Sequence, residues 1–176
     1  MTSDLSWSRH THETCLRANR KLAVLRRVKY LKRHTLDLLY KITVRSIIDY
    51  GLVLYYYNCT DKEKGRYDRI QYNAARLVSS TLKYTSKEKL FLELGWETIE
   101  NRAYILGICM FHKIAKGETR PLLKSLLPKL NITNNYNLRN LQPFRPFPFK
   151  GVKYSKSFFP YFTKNTTTLT IRPDNS

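Results

Sequence analysis

Acidic residues, thiols and imidazoles are the groups in this chain that could do chemistry, and their spacing is the first test. Metal-dependent phosphoryl transfer needs two carboxylates converging on two ions about 4 Å apart. No two acidic residues are adjacent; the nearest pairs are Asp61/Glu63, Glu93/Glu97 and Glu97/Glu100. All fall at expected helix starts or turns, where capping accounts for them. His10, His12 and Cys15 make one set of metal-type ligands, and Cys109 with His112 makes another. Neither supplies four ligands at zinc-site spacing, and a small core cysteine beside a surface histidine is the plainer reading. The six glycines are isolated, so no phosphate-cradling loop is present, and no nucleophile-elbow pattern appears. The expectation is a chain with no catalytic residues, no metal and no cofactor.

The positive signal is basic. Against 13 Asp and Glu stand 32 Lys and Arg, a net charge of +19. Such an imbalance repels itself in a compact state and points to a polyanionic partner. Nucleic acid is the first candidate partner and an anionic membrane surface the second, with plain solubility as the alternative to both. The candidate contacts are Arg17, Arg20, Arg26, Arg27, Lys29, Lys32 and Arg33, then Arg66, Arg69 and Arg76. Lysine and arginine neutralise phosphates without reading bases, so the expected mode is backbone binding to RNA or DNA, independent of sequence. Phe144, Phe147, Phe149, Phe158 and Phe159, set among basic residues, would either stack on bases or pack as core. The run from Arg26–Arg27 to Lys32–Arg33 also has the composition of a nuclear-localisation cluster.

The stretch from Leu36 to Tyr57, LDLLYKITVRSIIDYGLVLYYY, is the one these cations are arranged around. It is apolar almost all round, as a buried central helix is. Its length suits a membrane span, but Asp37, Lys41, Arg45 and Asp49 oppose that, each charge costing about 2.5–3.5 kcal/mol at a bilayer centre. No membrane is expected. Lys41, Arg45 and Asp49, spaced four apart, read as its one solvated edge, with an Arg45–Asp49 pair worth a few tenths of a kcal/mol. Before it, Cys15, Ala18, Leu22 and Leu25 predict a helix over about 9–28. Thr35 should cap the central helix, Thr60 with Glu63 the next, Thr85 with Glu88 a short fourth and Thr98 a fifth. Gly95 and Gly117 should stop the fourth and fifth, Trp96 should anchor the core, and Pro121 should open a last short helix.

From Pro128 the composition changes: six of seven prolines and six of eight phenylalanines follow, with Asp174 the only acid against eight Lys and Arg. The prolines exclude a helix through 143–148, and a strand or two is expected over 152–162. The fold expected is therefore mainly α: a bundle of about five or six helices around a buried central helix. It divides into a helical domain over 1–127 and an irregular, basic, Pro/Phe-rich arm over 128–176, partly ordered on the helices. Three cysteines without short spacing suggest reduced thiols, and residues 1–20 are polar and charged with no secretory pattern. An intracellular location follows, nuclear or cytoplasmic.

Six stretches together carry a family resemblance: LSWSRH (Leu5 to His10), ANRKLAVLRR (Ala18 to Arg27), LLYKITVRSIIDYGLVLY (Leu38 to Tyr55), RIQYNAARLV (Arg69 to Val78), Lys87 to Pro121, and SFFPY (Ser157 to Tyr161). In this order they resemble the C-terminal part of reverse transcriptases from jockey-like non-LTR retrotransposons. The resemblance implies a thumb-type helical region that cradles template–primer duplex behind an active site carried by the palm and fingers, which would be its protein partners. The family's aromatic-Ala-Asp-Asp turn is absent here. So is the family's Trp near Tyr55, and FTKNTTTL stands where a Trp-Asn usually follows SFFPY. The chain thus looks like a truncated or mis-bounded copy beginning in mid-polymerase. It would be a non-catalytic fragment of an RNA-directed DNA polymerase. The alternatives are a helical module for protein or membrane surfaces, and a relic reading frame without selected function.

Overall fold

Helix α1 (Ser8–Arg27) carries the 3-4-3 apolar rhythm and buries Cys15, Ala18, Leu22 and Leu25 along one stripe. This is a computed structural model and describes residues 6–81, 85–128 and 151–165. Those residues are mainly helical, with no strand among them. The chain divides into two compact units, Met1–Tyr104 and Ile105–Ser176.

The first unit is built on the central stretch, which is not one helix. It runs as α2 (Arg33–Tyr40), a π-helical turn (Lys41–Arg45) and α3 (Ser46–Asp49), then breaks before α4 (Leu52–Tyr55) and a 3-10 turn (Tyr56–Asn58). The break sits at Tyr50, extended at ψ 110°, and Gly51, left-handed at φ 70°, a conformation that costs glycine nothing. The π turn has a use. Leu36, Tyr40, Val44 and Ile48 are spaced four apart and are all buried. In a regular α-helix each four-residue step overshoots a full turn by about 40°, so three steps would carry Ile48 about 120° away from Leu36. The wider π turn removes that drift and keeps all four on one face. Thr43 and Ser46 attend it, their hydroxyls donating to the carbonyls of Leu39 and Ile42. The stretch is also not buried all round, since Leu38, Ile42 and Leu54 are exposed. Tyr55 closes over the break, its hydroxyl donating to the Ile48 carbonyl at 3.0 Å.

Helix α5 (Asp61–Ser79) starts at the expected capping box: the Glu63 amide donates to Thr60 Oγ1, and the Thr60 amide donates to Glu63 Oε2 at 2.8 Å. It buries Tyr67, Ile70, Ala74 and Val78 and packs against α1, α2 and α6 (Lys87–Leu94). Two expected caps move. Lys32 precedes α2 and gives it no side-chain cap, so Thr35 lies inside the first turn. Ser86, not Thr85, caps α6, its hydroxyl accepting from the Lys89 amide, while the Thr85 carbonyl accepts from the Tyr72 hydroxyl. Gly95 ends α6 at φ 62°, which turns Trp96 back onto the core. There its ring stacks on Tyr40 with centroids 4.3 Å apart, and its Nε1 donates to Asp37 Oδ1 at 2.8 Å. Such a stack adds about 0.5–1.5 kcal/mol beyond burial. Helix α7 (Ile99–Lys116) begins with the Asn101 amide donating to Thr98 Oγ1 and ends at Gly117, φ 79°.

The second unit holds the rest of α7, α8 (Pro121–Ser125), α9 (Val152–Ser155) and α10 (Phe158–Asn165). The strands expected over 152–162 are helices instead. Phe158 and Phe162, four apart, are both buried, and Pro160 lies in the first turn, where its missing N–H is not needed. Phe162 reaches so close to α7 that a Cβ on Gly107 would lie 1.9 Å from its Cζ. Phe158 is therefore core rather than a stacking platform. Phe144, Phe147 and Phe149 lie outside the described residues, as do the prolines of 143–148.

Candidate nucleic-acid interface

Several acidic residues of the first unit are held in place by neighbours. Asp37 pairs with Lys41 at 2.7 Å, Asp68 with Lys87 at 2.9 Å and Glu93 with Arg33 at 2.6 Å. Burial pushes the Glu63 carboxyl up, but hydrogen bonds from Ser8 and Thr60 outweigh it and leave its pKa below the usual range. The His10 ring packs edge-on against Tyr55, centroids 4.8 Å apart, whereas His12 faces a groove on another side of α1. Among the described residues no three His, Cys, Asp or Glu converge as metal ligands. Burial pushes the Cys15 thiol up to about 11 and raises that of Cys59, so both stay protonated at neutral pH; Cys109 is exposed.

The cations are differently placed. From Arg17 to Lys32 the chain carries seven Lys and Arg and no acid. All seven are exposed, and none has an ion-pair partner among the described residues. At 100° per residue, Arg17, Arg20 and Arg27 lie on the arc of α1 opposite its buried stripe. Lys21, four residues on from Arg17, lies beside it on the flank of the helix towards the core face. Arg26 sits nearer the edge of the core face, while Lys29 and Lys32 follow in the turn before α2. Arg33 is engaged otherwise: beyond the Glu93 carboxylate it donates to the Glu93 carbonyl at 3.1 Å, tying α2 to α6.

On α5, Lys62, Arg66, Arg69, Asn73 and Arg76 follow a 4-3-4-3 rhythm and share a face. Arg66 and Arg69 line a groove of about 360 Å³ between α1 and α5, with His12 and Asn19 on the opposite wall. The structure thus brings two of the three α5 candidates beside α1. Arg76 is drawn away, its guanidinium 5.8 Å over the Tyr72 ring and its Nε buried without a hydrogen bond. A second groove, of about 300 Å³, flanks α1 on its other side between Arg17 and the exposed Tyr50.

What holds α3 under this surface is an ion cluster the four-residue spacing did not reveal. Arg45, expected in solvent, is only 8% exposed. Its partners are distant, Asp49 Oδ2 at 4.0 Å and Glu97 Oε2 at 3.9 Å. The close pair is Asp49 with Arg102: Nε donates to both carboxylate oxygens at 2.8 Å, and a terminal nitrogen lies 2.7 Å from Oδ2. That hydrogen bonding raises the Arg102 pKa above its ordinary value. The Lys41–Arg45–Asp49 row is therefore exposed at Lys41, partly so at Asp49 and buried at Arg45, and the latter two belong to the packing of α3 against the start of α7.

No family model, curated protein or solved structure matches the chain. What the geometry offers is one helix with unpaired cations along its C-terminal half, two flanking grooves, and a second basic helix beside one of them. Among the described residues no helix is long and apolar enough to cross a membrane.

Proposed function

We propose that this chain grips the sugar–phosphate backbone of a nucleic-acid duplex, as a non-catalytic, thumb-type fragment of a retrotransposon reverse transcriptase. The observation supporting it most is the run of seven exposed, unpaired cations from Arg17 to Lys32 beside Arg66 and Arg69. Charges so close lie within one Debye length, about 8 Å at physiological salt, and repel one another unless an anion is bound. A phosphate backbone removes that repulsion and releases its counterions, which supplies the binding energy. On α1 the unpaired cations run from Arg17 to Arg27, about 15 Å. Phosphates repeat about every 3.4 Å along a strand, so this part of α1 matches about four of them, and Lys29, Lys32, Arg66 and Arg69 extend the contact. In the intact polymerase the palm and fingers would hold the active site, and this surface would keep the product duplex from leaving.

The test is the salt dependence of duplex binding, followed by fluorescence anisotropy. About six phosphate contacts predict a log–log slope near −5. Replacing Arg20, Lys21, Arg26 and Arg27 by Glu should abolish binding and leave the helical circular dichroism unchanged. A slope near zero overturns the reading. Preference for anionic vesicles over oligonucleotides at matched salt would reassign the same face to a membrane surface.

A further inference from the structure

The groove between α1 and α5 differs from the rest of the basic surface, because it is layered. Its floor is apolar, formed by Ile70 and the protonated Cys15, both nearly inaccessible. One turn further along, Asn19 stands four residues after Cys15, and Asn73 three residues after Ile70, so two carboxamides flank the floor. Neither makes a hydrogen bond inside the described chain, and each offers two donors and an acceptor. Arg66 and Arg69 complete the α5 wall, without ion pairs. The nearest acid in sequence, Asp68, is paired with Lys87, and Glu63 is committed to the α5 cap. Backbone grip uses cations alone; it has no need of an apolar floor or of unpaired amides.

We propose that this groove seats a single unstacked nucleotide, with its base on the Cys15–Ile70 floor between Asn19 and Asn73 and its phosphate on Arg66 and Arg69. The volume of about 360 Å³ lies within the range that holds small ligands, about 300–1,000 Å³. It is far too small for a duplex, so the occupant is a free nucleotide or one at a strand end, gap or overhang. Carboxamides accept either polarity of base edge by turning over, so discrimination among bases is weak. The ligand class rests on the nucleic-acid reading above, while the groove's layering is independent of it.

The full chain is titrated with AMP, UMP and inorganic phosphate by calorimetry, and by anisotropy with a blunt duplex and the same duplex bearing a short 3′ overhang. Asn73→Phe fills the groove without touching charge, and Asn19→Phe does so from the exposed wall should the first variant not fold. AMP and UMP should bind, and either filling variant should weaken them about tenfold, as should the double substitution Arg66→Gln/Arg69→Gln. The overhang should be preferred by the parent chain and not by the filled variants, with blunt-duplex affinity unchanged in them. Mononucleotide binding without overhang preference assigns the site to free nucleotides. Unchanged nucleotide affinity in a folded Asn73→Phe or Asn19→Phe variant overturns the proposal, as does phosphate binding as tightly as AMP. Loss of the salt-dependent duplex binding with mononucleotide binding retained would overturn the grip reading and leave this site standing.

Discussion

Replacing Asp49 by Asn distinguishes a structural cluster from a surface decoration. The side chains are nearly isosteric, so the change removes charge and keeps volume. Arg102 would lose a carboxylate it meets at 2.7 and 2.8 Å, and Arg45, 8% exposed, would keep only Glu97 at 3.9 Å. Breaking a fully buried pair costs about 3–5 kcal/mol, and hydrogen bonds to charged groups contribute about 1.5–3 kcal/mol. The Asp49 and Arg102 side chains are 20% and 28% exposed, so water recovers part of that. The expected loss is about 2–3 kcal/mol, or about 5–10 °C in Tm for a chain of this size. Urea unfolding monitored by circular dichroism reads it as a lower midpoint at constant slope. A cycle with Arg102→Gln should give a coupling energy above about 1 kcal/mol, and 1 M salt should leave most of it in place. An Asp49→Asn cost below about 0.5 kcal/mol would refute the reasoning, since that is the worth of an exposed i,i+4 pair.

Gly107→Ala should destabilise the second unit by about 1–3 kcal/mol, because its Cβ would meet the Phe162 ring at 1.9 Å; proteolysis within α10 becoming faster than cleavage within α5 would locate the effect. Ser80 holds a left-handed φ of 51° at the end of α5, so Ser80→Gly should raise stability by about 1 kcal/mol in the same urea assay. On the alkaline side, stability should fall from about pH 9 towards pH 11. The Cys15 thiol is raised by burial from 9.0 to about 11 in the folded chain, so above pH 9 the unfolded chain alone releases that proton. Cys15→Ala should reduce the slope in that window relative to the parent, measured as the urea midpoint against pH, while leaving the losses from Cys59 and the buried tyrosines. An alkaline slope identical in both would contradict the assignment.

What the sequence made legible was local. The Thr60–Glu63 box, the Thr98 cap and the stops at Gly95 and Gly117 each depend on a few neighbouring residues, and all four stand where spacing placed them. The central stretch was harder, because four-residue spacing of apolar residues has two solutions. It can drift around an α-helix, or it can stay on one face with help from a π turn, and periodicity does not separate the two. Tyr50–Gly51 did carry a signal, since glycine inside an apolar run is where a helix can end. Over 152–162 the aromatics suit strand and helix alike. The contact that decides is Phe162 against Gly107, 55 residues away in sequence and invisible to any local pattern.

The surface was legible as a quantity and not as an arrangement. Composition set the sign of the surface, and spacing found the arginines of α1 and α5, yet it could not sort them by what they touch. Arg33 and Arg76 look like Arg26 and Arg69 in a sequence. In the fold Arg33 holds α6 through Glu93, and Arg76 lies over Tyr72, so neither is spare. Asn19 and Asn73 carried no signal at all, being neutral residues on two helices 54 positions apart. Yet they turn a basic patch into a lined groove. Charge alone argues for a backbone held anywhere along α1. The layering of amide, arginine and apolar floor argues for one nucleotide held at one place, and that difference is what a groove-filling substitution measures and a charge reversal does not.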